Sequence, residues 1–348
     1  MRLSAFALVL LLAQIPAVPP LPQPPFEEWL AGVRAEAIAK GIREATVDQA
    51  FTGLEPVATV IQRDRTQAEI VKTLDDYLKE HVTARVVKTA QGMHRTHGGT
   101  LQKVSDKYGV PPGILVAVWG IESNFGRFSG VRPTIATLAT LAYDPRRSAL
   151  FRKELFDALT ILDSGDVEPD TLKGSWAGAL GQPQFMPSSF LLYAVDFDAN
   201  GRRDIWKSLP DVFGSIANYL AAHGWEKGQT WGREVRIPDT LITRLPEVAP
   251  MQTSGCLARR QMSTPLPLTE WSKLGVRTAA GRALPSATVQ ASLVMGDKRH
   301  FLVYPNYQAL LEYNCVNAYG LSVGLLGDRA MQAPPAKAPR RATRVQGA

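Results

Sequence analysis

No apolar run in this 348-residue chain is long enough to cross a membrane as a helix, which takes about 20 apolar residues. The nearest approach is residues 3–12, behind the cationic Met1-Arg2 and ahead of small residues at Ala13 and Ala17. That layout is an export signal. No cysteine closes the run, so bacterial lipoprotein processing has nothing to lipidate. Six prolines between Pro16 and Pro25 argue for a linker over a buried N-terminal helix. Residues 1–25 are therefore expected to be signal and linker, and the mature chain to be soluble in the periplasm. Cysteine is nearly absent, with Cys256 and Cys315 alone. In an oxidising compartment an even pair suits a disulfide, but two separate thiols fit the spacing equally. Glycine and proline, 28 and 25 residues, are too few for a fibrous or low-complexity protein.

Acidic residues are missing from residue 333 onward, where Lys337, Arg340, Arg341 and Arg344 stand uncompensated. With Arg2 they account for five of the seven net positive charges, leaving a nearly neutral body. A nucleic-acid-binding face needs its basic patch on the folded domain, so no nucleic-acid partner is expected. Residues 331–348 read as a disordered tail. Weak, salt-sensitive attachment to anionic wall or membrane surfaces is one role for them, and plain solvation is the other. Histidine is scarce too: His94 and His97 stand three apart with no further ligand at metal spacing, which favours a helix surface.

The remaining composition is globular, 45% hydrophobic and 20% charged. The patterning predicts a mainly α (α+β) protein. Residues 26–109 read as helical, with Ile70, Leu74, Tyr77, Leu78 and His81 at helical spacing. Residues 110–231 form a helical core, where Asp211 is expected to cap a helix that stops at Gly224. Residues 232–299 form a β-containing insertion, with strands at 234–237, 288–294 and 300–304. Residues 300–330 return to the core.

Glu122 is the most informative side chain. It ends an apolar run behind Pro111-Pro112 and shares a helical face with Leu115, Val118 and Trp119. A carboxyl held there has its charged form disfavoured, as a glycosidase general acid requires. A helix-end glutamate in solvent is the equal alternative. A second cluster, Gly174-Ser-Trp-Ala-Gly-Ala-Leu-Gly-Gln-Pro-Gln-Phe-Met-Pro-Ser-Ser189, interleaves neutral hydrogen-bonding groups with aromatic rings. It suits an uncharged polyhydroxylated substrate, or a packed glycine-rich connector. Gly320-Leu-Ser-Val-Gly324 matches a nucleophile elbow, but no histidine follows Ser322 and the surroundings read as helix.

Several segments together resemble the membrane-bound lytic murein transglycosylase B family, lysozyme-like enzymes that cut peptidoglycan. They are Gly120-Ile-Glu-Ser-Asn-Phe-Gly126, Thr137-Leu-Ala-Thr-Leu-Ala-Tyr-Asp-Pro-Arg-Arg147, the Ser175–Ser189 cluster, Asp196-Phe-Asp-Ala-Asn-Gly-Arg-Arg-Asp-Ile-Trp206, Ala217-Asn-Tyr-Leu-Ala-Ala-His-Gly-Trp225 and Glu312-Tyr-Asn314. The resemblance implies a lysozyme-like core with Glu122 as sole acid/base, and Ser175, Gln184, Phe185, Tyr219, Tyr313, Asn314 and Tyr319 lining the glycan groove. It implies cleavage of the MurNAc-GlcNAc bond to 1,6-anhydro ends, peptidoglycan as partner and no required cofactor. A muramidase using water and a non-catalytic glycan scaffold are the rivals. The family often holds a metal in the fourth segment. Here Asp196, Asp198, Asn200, Arg202 (through its carbonyl) and Asp204 sit at EF-hand positions one, three, five, seven and nine, with Gly201 at six. Position twelve is Lys207, so a structural calcium is disfavoured against a self-bonded turn.

Overall fold

The computed structural model of the chain describes residues 23–66 and 72–332. The export-signal and basic-tail readings, and Ile70, lie outside them.

Among the described residues, six helices build the N-terminal region: Phe26–Ala39, Glu44–Phe51, Ala58–Arg65, Leu74–His81, Ala84–Thr96 and Gly98–Tyr108. Thr73 and Thr83 cap two of them, their hydroxyls accepting from the amides of Asp76 and Val86. His97 is half-buried: it packs on Trp119 and Phe213, ring centroids 5.8 and 6.2 Å away.

At the centre runs the helix Pro112–Ser123, started by proline at its first position and buried along most of its length. It lies against the last helix, Asn317–Ala330, at a glycine crossing. A Cβ on Gly113 would stand within 2.5 Å of the Gly327 carbonyl oxygen, so only glycine permits this approach. The Gly320–Gly324 motif lies inside the last helix, with Ser322 buried. That rules out an elbow. Helices Thr134–Tyr143 and Ser148–Ser164 pack together, and Leu209–Ala222 closes the core. The cap of that last helix is Ser208, whose hydroxyl accepts from the Asp211 amide, and not Asp211 as the sequence pattern predicts.

The β unit is an antiparallel sheet in the order Leu266–Pro267, Gln290–Met295, His300–Val303, Gly232–Arg236, Arg277–Thr278. His300–Val303 is its middle strand, so the unit extends past the boundary expected at residue 299. The pleat explains how it is attached. Leu293, Leu302 and Tyr304 face a small core around Trp271, Leu241 and Leu245, while Val294, Phe301 and Val303 face the main helical core. Burying both faces of the hairpin holds the β unit to the body. Cys256 and Cys315 form a disulfide, Cα atoms 6.4 Å apart, tying a β-unit loop to the connection between the last two helices.

Candidate active site

Glu122 is the penultimate residue of the helix Pro112–Ser123. Leu115, Val118 and Trp119 on its face are all buried. The residue keeps part of its surface toward solvent, but its carboxyl is enclosed by protein, which raises its pKa from 4.5 to about 7. The helix C-terminus beside it, rich in unpaired carbonyls, also disfavours the anion. That environment favours a half-buried acid over a freely solvated helix end.

Chain direction reverses just after Glu122. Asn124 and Phe125 both take left-handed conformations, φ 50° and 59°. The Ser123 hydroxyl donates to the Trp119 carbonyl and accepts from the Gly126 amide. Trp119 Nε1 donates to Gln182 Oε1 at 2.6 Å, and Gln182 Nε2 donates to the Trp206 carbonyl at 2.7 Å. Gln182 therefore fixes the turn of helix that carries Glu122, a positioning role the sequence pattern does not single out.

Tyrosines face the carboxyl. The Tyr319 hydroxyl is buried with no hydrogen-bond partner among the described residues. It points at Glu122 closely enough to draw the carboxyl pKa down against the effect of burial, yet outside ordinary bond geometry. Tyr77, from the N-terminal helices, also feels the Glu122 charge; burial and then that charge push its phenol up. Nothing local in sequence marks Tyr77, because the fold brings it in from a separate helix.

Aromatic rings continue away from the acid. Tyr313 stacks with Tyr319 at 6.3 Å and meets Tyr219 at 4.7 Å and Phe185 at 5.9 Å. Tyr193 and His223 extend the cluster through Tyr219. The Tyr313 hydroxyl donates to the Pro183 carbonyl and the Tyr219 hydroxyl to the Glu312 carbonyl, so both rings are held by the backbone. Gln184 stands beside Phe185 in a left-handed conformation, φ 55°, its amide donating to the Gly181 carbonyl. Strain of this kind gathers at functional sites. Asn314 is exposed at the end of the helix Pro305–Tyr313. Ser175 accepts from the Ala177 and Ala179 amides; it orders its own turn, and no hydrogen bond among the described residues joins it to Glu122. Of the expected residues, then, Tyr313 and Tyr319 lie close enough to feel the Glu122 charge, and Phe185 and Tyr219 pack against Tyr313.

The other buried carboxylates are engaged. Asp64 binds Arg146 and Arg147, Asp144 binds Arg65, and Glu154 accepts from the Ser188 amide and hydroxyl. No second carboxylate among the described residues perturbs Glu122. A cavity of about 850 Å³ lies by Arg233, Thr288 and Tyr304, and Glu122 is not part of its lining.

In the acidic loop, Asp196 accepts from the Asn200 and Gly201 amides and Asp198 from the Asn200 amide and Ser208 hydroxyl. Asn200 Oδ1 accepts from the Arg202 amide. Asp204 is spent on the amides of Trp206 and Lys207. The third carboxylate near Asp196 and Asp198 is Asp211, fully buried and accepting from the amides of Phe197, Asp198 and Asp204. Three hard oxygen donors suit calcium on one side of the loop, while exposed Lys207 stands at the sequence position of the closing acid.

The architecture is that of the lysozyme-like helical proteins, with a carboxyl whose pKa is raised to about 7 at the end of an apolar helix. Within that class, the chain belongs to the transglycosylase SLT domain family, which it matches over residues 25–328. It is 33% identical over 260 residues to the membrane-bound lytic murein transglycosylase B of Escherichia coli. That stretch is 72% of this chain and 65% of the relative, so the chain spans under two thirds of that protein's length. SltB3 from Pseudomonas aeruginosa, solved in complex with NAG-anhNAM-pentapeptide, superposes with a TM-score of 0.80 at 41% identity, covering 87% of this chain and 78% of that one. The Escherichia coli lytic transglycosylase Slt35 in complex with calcium superposes with a TM-score of 0.71 at 28% identity, covering 86% and 92%.

Proposed function

We propose that the chain is a peptidoglycan lytic transglycosylase acting through Glu122. The observation that carries this reading is a single carboxyl, pushed to about 7 by burial, with no second carboxylate beside it. Two-carboxylate glycosidases need an acid and a nucleophile or base. A lone acid fits substrate assistance. Protonated Glu122 gives its proton to the oxygen between MurNAc and GlcNAc as the C1–O bond breaks. The N-acetyl carbonyl of MurNAc supports the electron-poor C1. The Glu122 carboxylate then takes the proton of the MurNAc 6-hydroxyl, whose oxygen bonds C1 and closes the 1,6-anhydro ring. The acid is regenerated and no water is consumed. Half-buried Tyr313 offers a ring to the sugars, backed by the buried rings of Phe185, Tyr219 and Tyr319, with Gln184, Asn314 and Ser175 as neutral hydrogen-bonding groups. Digestion of purified sacculi is expected to give sugars lighter by one water than reducing ends; reducing ends would make the protein a muramidase, and binding without cleavage a scaffold.

Tyr319→Phe removes a hydroxyl that favours the Glu122 carboxylate. The alkaline limb of the kcat/KM profile is expected to move above pH 7, and turnover to fall roughly tenfold as the returning carboxylate loses support. An unmoved limb would separate Tyr319 from the acid.

The acidic loop is proposed to stand on its own hydrogen bonds. Melting temperatures in EDTA and in millimolar calcium are then expected to agree within about 1 °C, whereas a tight site would raise Tm by about 5 °C or more. The relatives' substrate favours the periplasm as the site of action, and no helix among the described residues is long and apolar enough to cross a membrane. The cations of residues 337–344 are proposed to give at most weak wall association, and loss of wall binding at low salt on deleting residues 333–348 checks it.

A further inference from the structure

The aromatic rings gathered near the acid offer little surface to a sugar: Phe185, Tyr219 and Tyr319 are buried and Tyr313 is half-buried. The one exposed aromatic side chain among the described residues is Phe128, 66% exposed and six residues past Glu122. A single exposed apolar side chain is ordinary. The place of this one is not, because its loop is tied at both ends to segments that make the site. The Phe128 amide donates to the Ser123 carbonyl at 2.9 Å, one residue from the acid, and the Gly126 amide donates to the Ser123 hydroxyl. Gly130, at φ 95°, lies so close to the Gly174 backbone that a Cβ there would collide with it. Arg132 and Pro133 then pair with Gly174 and Lys173. Residues 127–131 thus bridge the turn behind Glu122 and the turn of Ser175, and Phe128 stands on that bridge.

A phenyl face is electron-rich and the C–H face of a pyranose is weakly positive, so the two stack with no charge on either partner. Water leaves both apolar surfaces as they meet. The backbone of the loop is already fixed, so little freedom is lost on contact. Resting on the transglycosylase reading above, we propose that Phe128 is a stacking platform for a sugar of the glycan strand beside the bond cut. Phe128 joins Tyr313 as a ring open to the strand, and neither takes part in proton transfer. Val131, 83% exposed on the same loop, has no ring face and no such role.

The test uses the full chain and glycan strands stripped of their peptides, so that only sugars are read. Phe128→Ala is expected to lose roughly tenfold in kcat/KM, mainly through KM. Its melting temperature should not change, because the ring is exposed. Phe128→Trp should stay within about twofold of the wild type, and Val131→Ala should match it. An alanine variant with wild-type KM, a tryptophan variant as impaired as the alanine one, or an equal loss in Val131→Ala would overturn the platform. In the Glu122→Gln background the same substitutions are read by binding of the stripped strands, without cleavage. A ring-dependent loss of binding there supports the platform even if the wild type leaves every strand uncut, which would strike the transglycosylase reading alone. Binding that ignores residue 128 would overturn the platform whatever the turnover.

Discussion

Replacing Glu122 with glutamine is expected to lower turnover of peptidoglycan by roughly 10³–10⁴-fold, the upper part of the range for a general acid–base group, because one side chain serves both proton transfers. The substitution is nearly isosteric, so glycan binding should persist. Its effect on stability runs the other way. The folded carboxyl titrates near 7 against 4.5 for the free group, so folding binds a proton between those values. Stability from this group is fully present below about pH 4.5 and is lost as pH rises toward 7. Above pH 7 the native state carries a charge it would rather not hold, a cost of up to ~3 kcal/mol. Glu122→Gln is therefore expected to melt higher than wild type at pH 8 and about equally at pH 4.5. Thermal melts at the two pH values check this. A variant that keeps wild-type turnover, or melts lower at pH 8, contradicts the burial of a working acid.

Breaking the Cys256–Cys315 bond comes next in size. The two residues are 59 apart in sequence, and opening a loop of that length costs about 4 kcal/mol in the chain-entropy account. For a protein of this size that is on the order of 10 °C in Tm. Cys256→Ser with Cys315→Ser is expected to show it, and reduction of the wild type to reproduce it. Turnover should fall as well, because the bond holds the connection that follows Tyr313 and Asn314 and leads into Tyr319. Equal melting of oxidised and reduced protein would show that the bond carries no stability.

Much of the site was legible from local pattern. The apolar run before Glu122 specifies a buried helix, and only the surroundings of its last carboxyl stay open in sequence, because segments distant in the chain supply them. Alternation at residues 300–304 marks a strand but not its place in the sheet, so the β unit ended too early at residue 299. Asp211, the expected cap, lies three residues past the true one. Ser208 takes the role, and buried Asp211 closes the acidic loop. That contact depends on loop geometry and has no sequence period. Gln182 stands in the Gly174–Ser189 cluster as a neutral hydrogen-bonding group, but its bond to Trp119 and the approach of Tyr77 to Glu122 join distant segments and have no local sequence signal. Ser175 was named through resemblance, and its hydrogen bonds are local to its own turn.

The central claim is that one buried carboxyl cuts the glycan strand without water. Digesting purified peptidoglycan in H₂¹⁸O and weighing the new sugar ends tests it most directly. Ends that carry no ¹⁸O and are one water lighter than reducing sugars, formed by wild type and absent with Glu122→Gln, are the predicted result. Labelled reducing ends would contradict it.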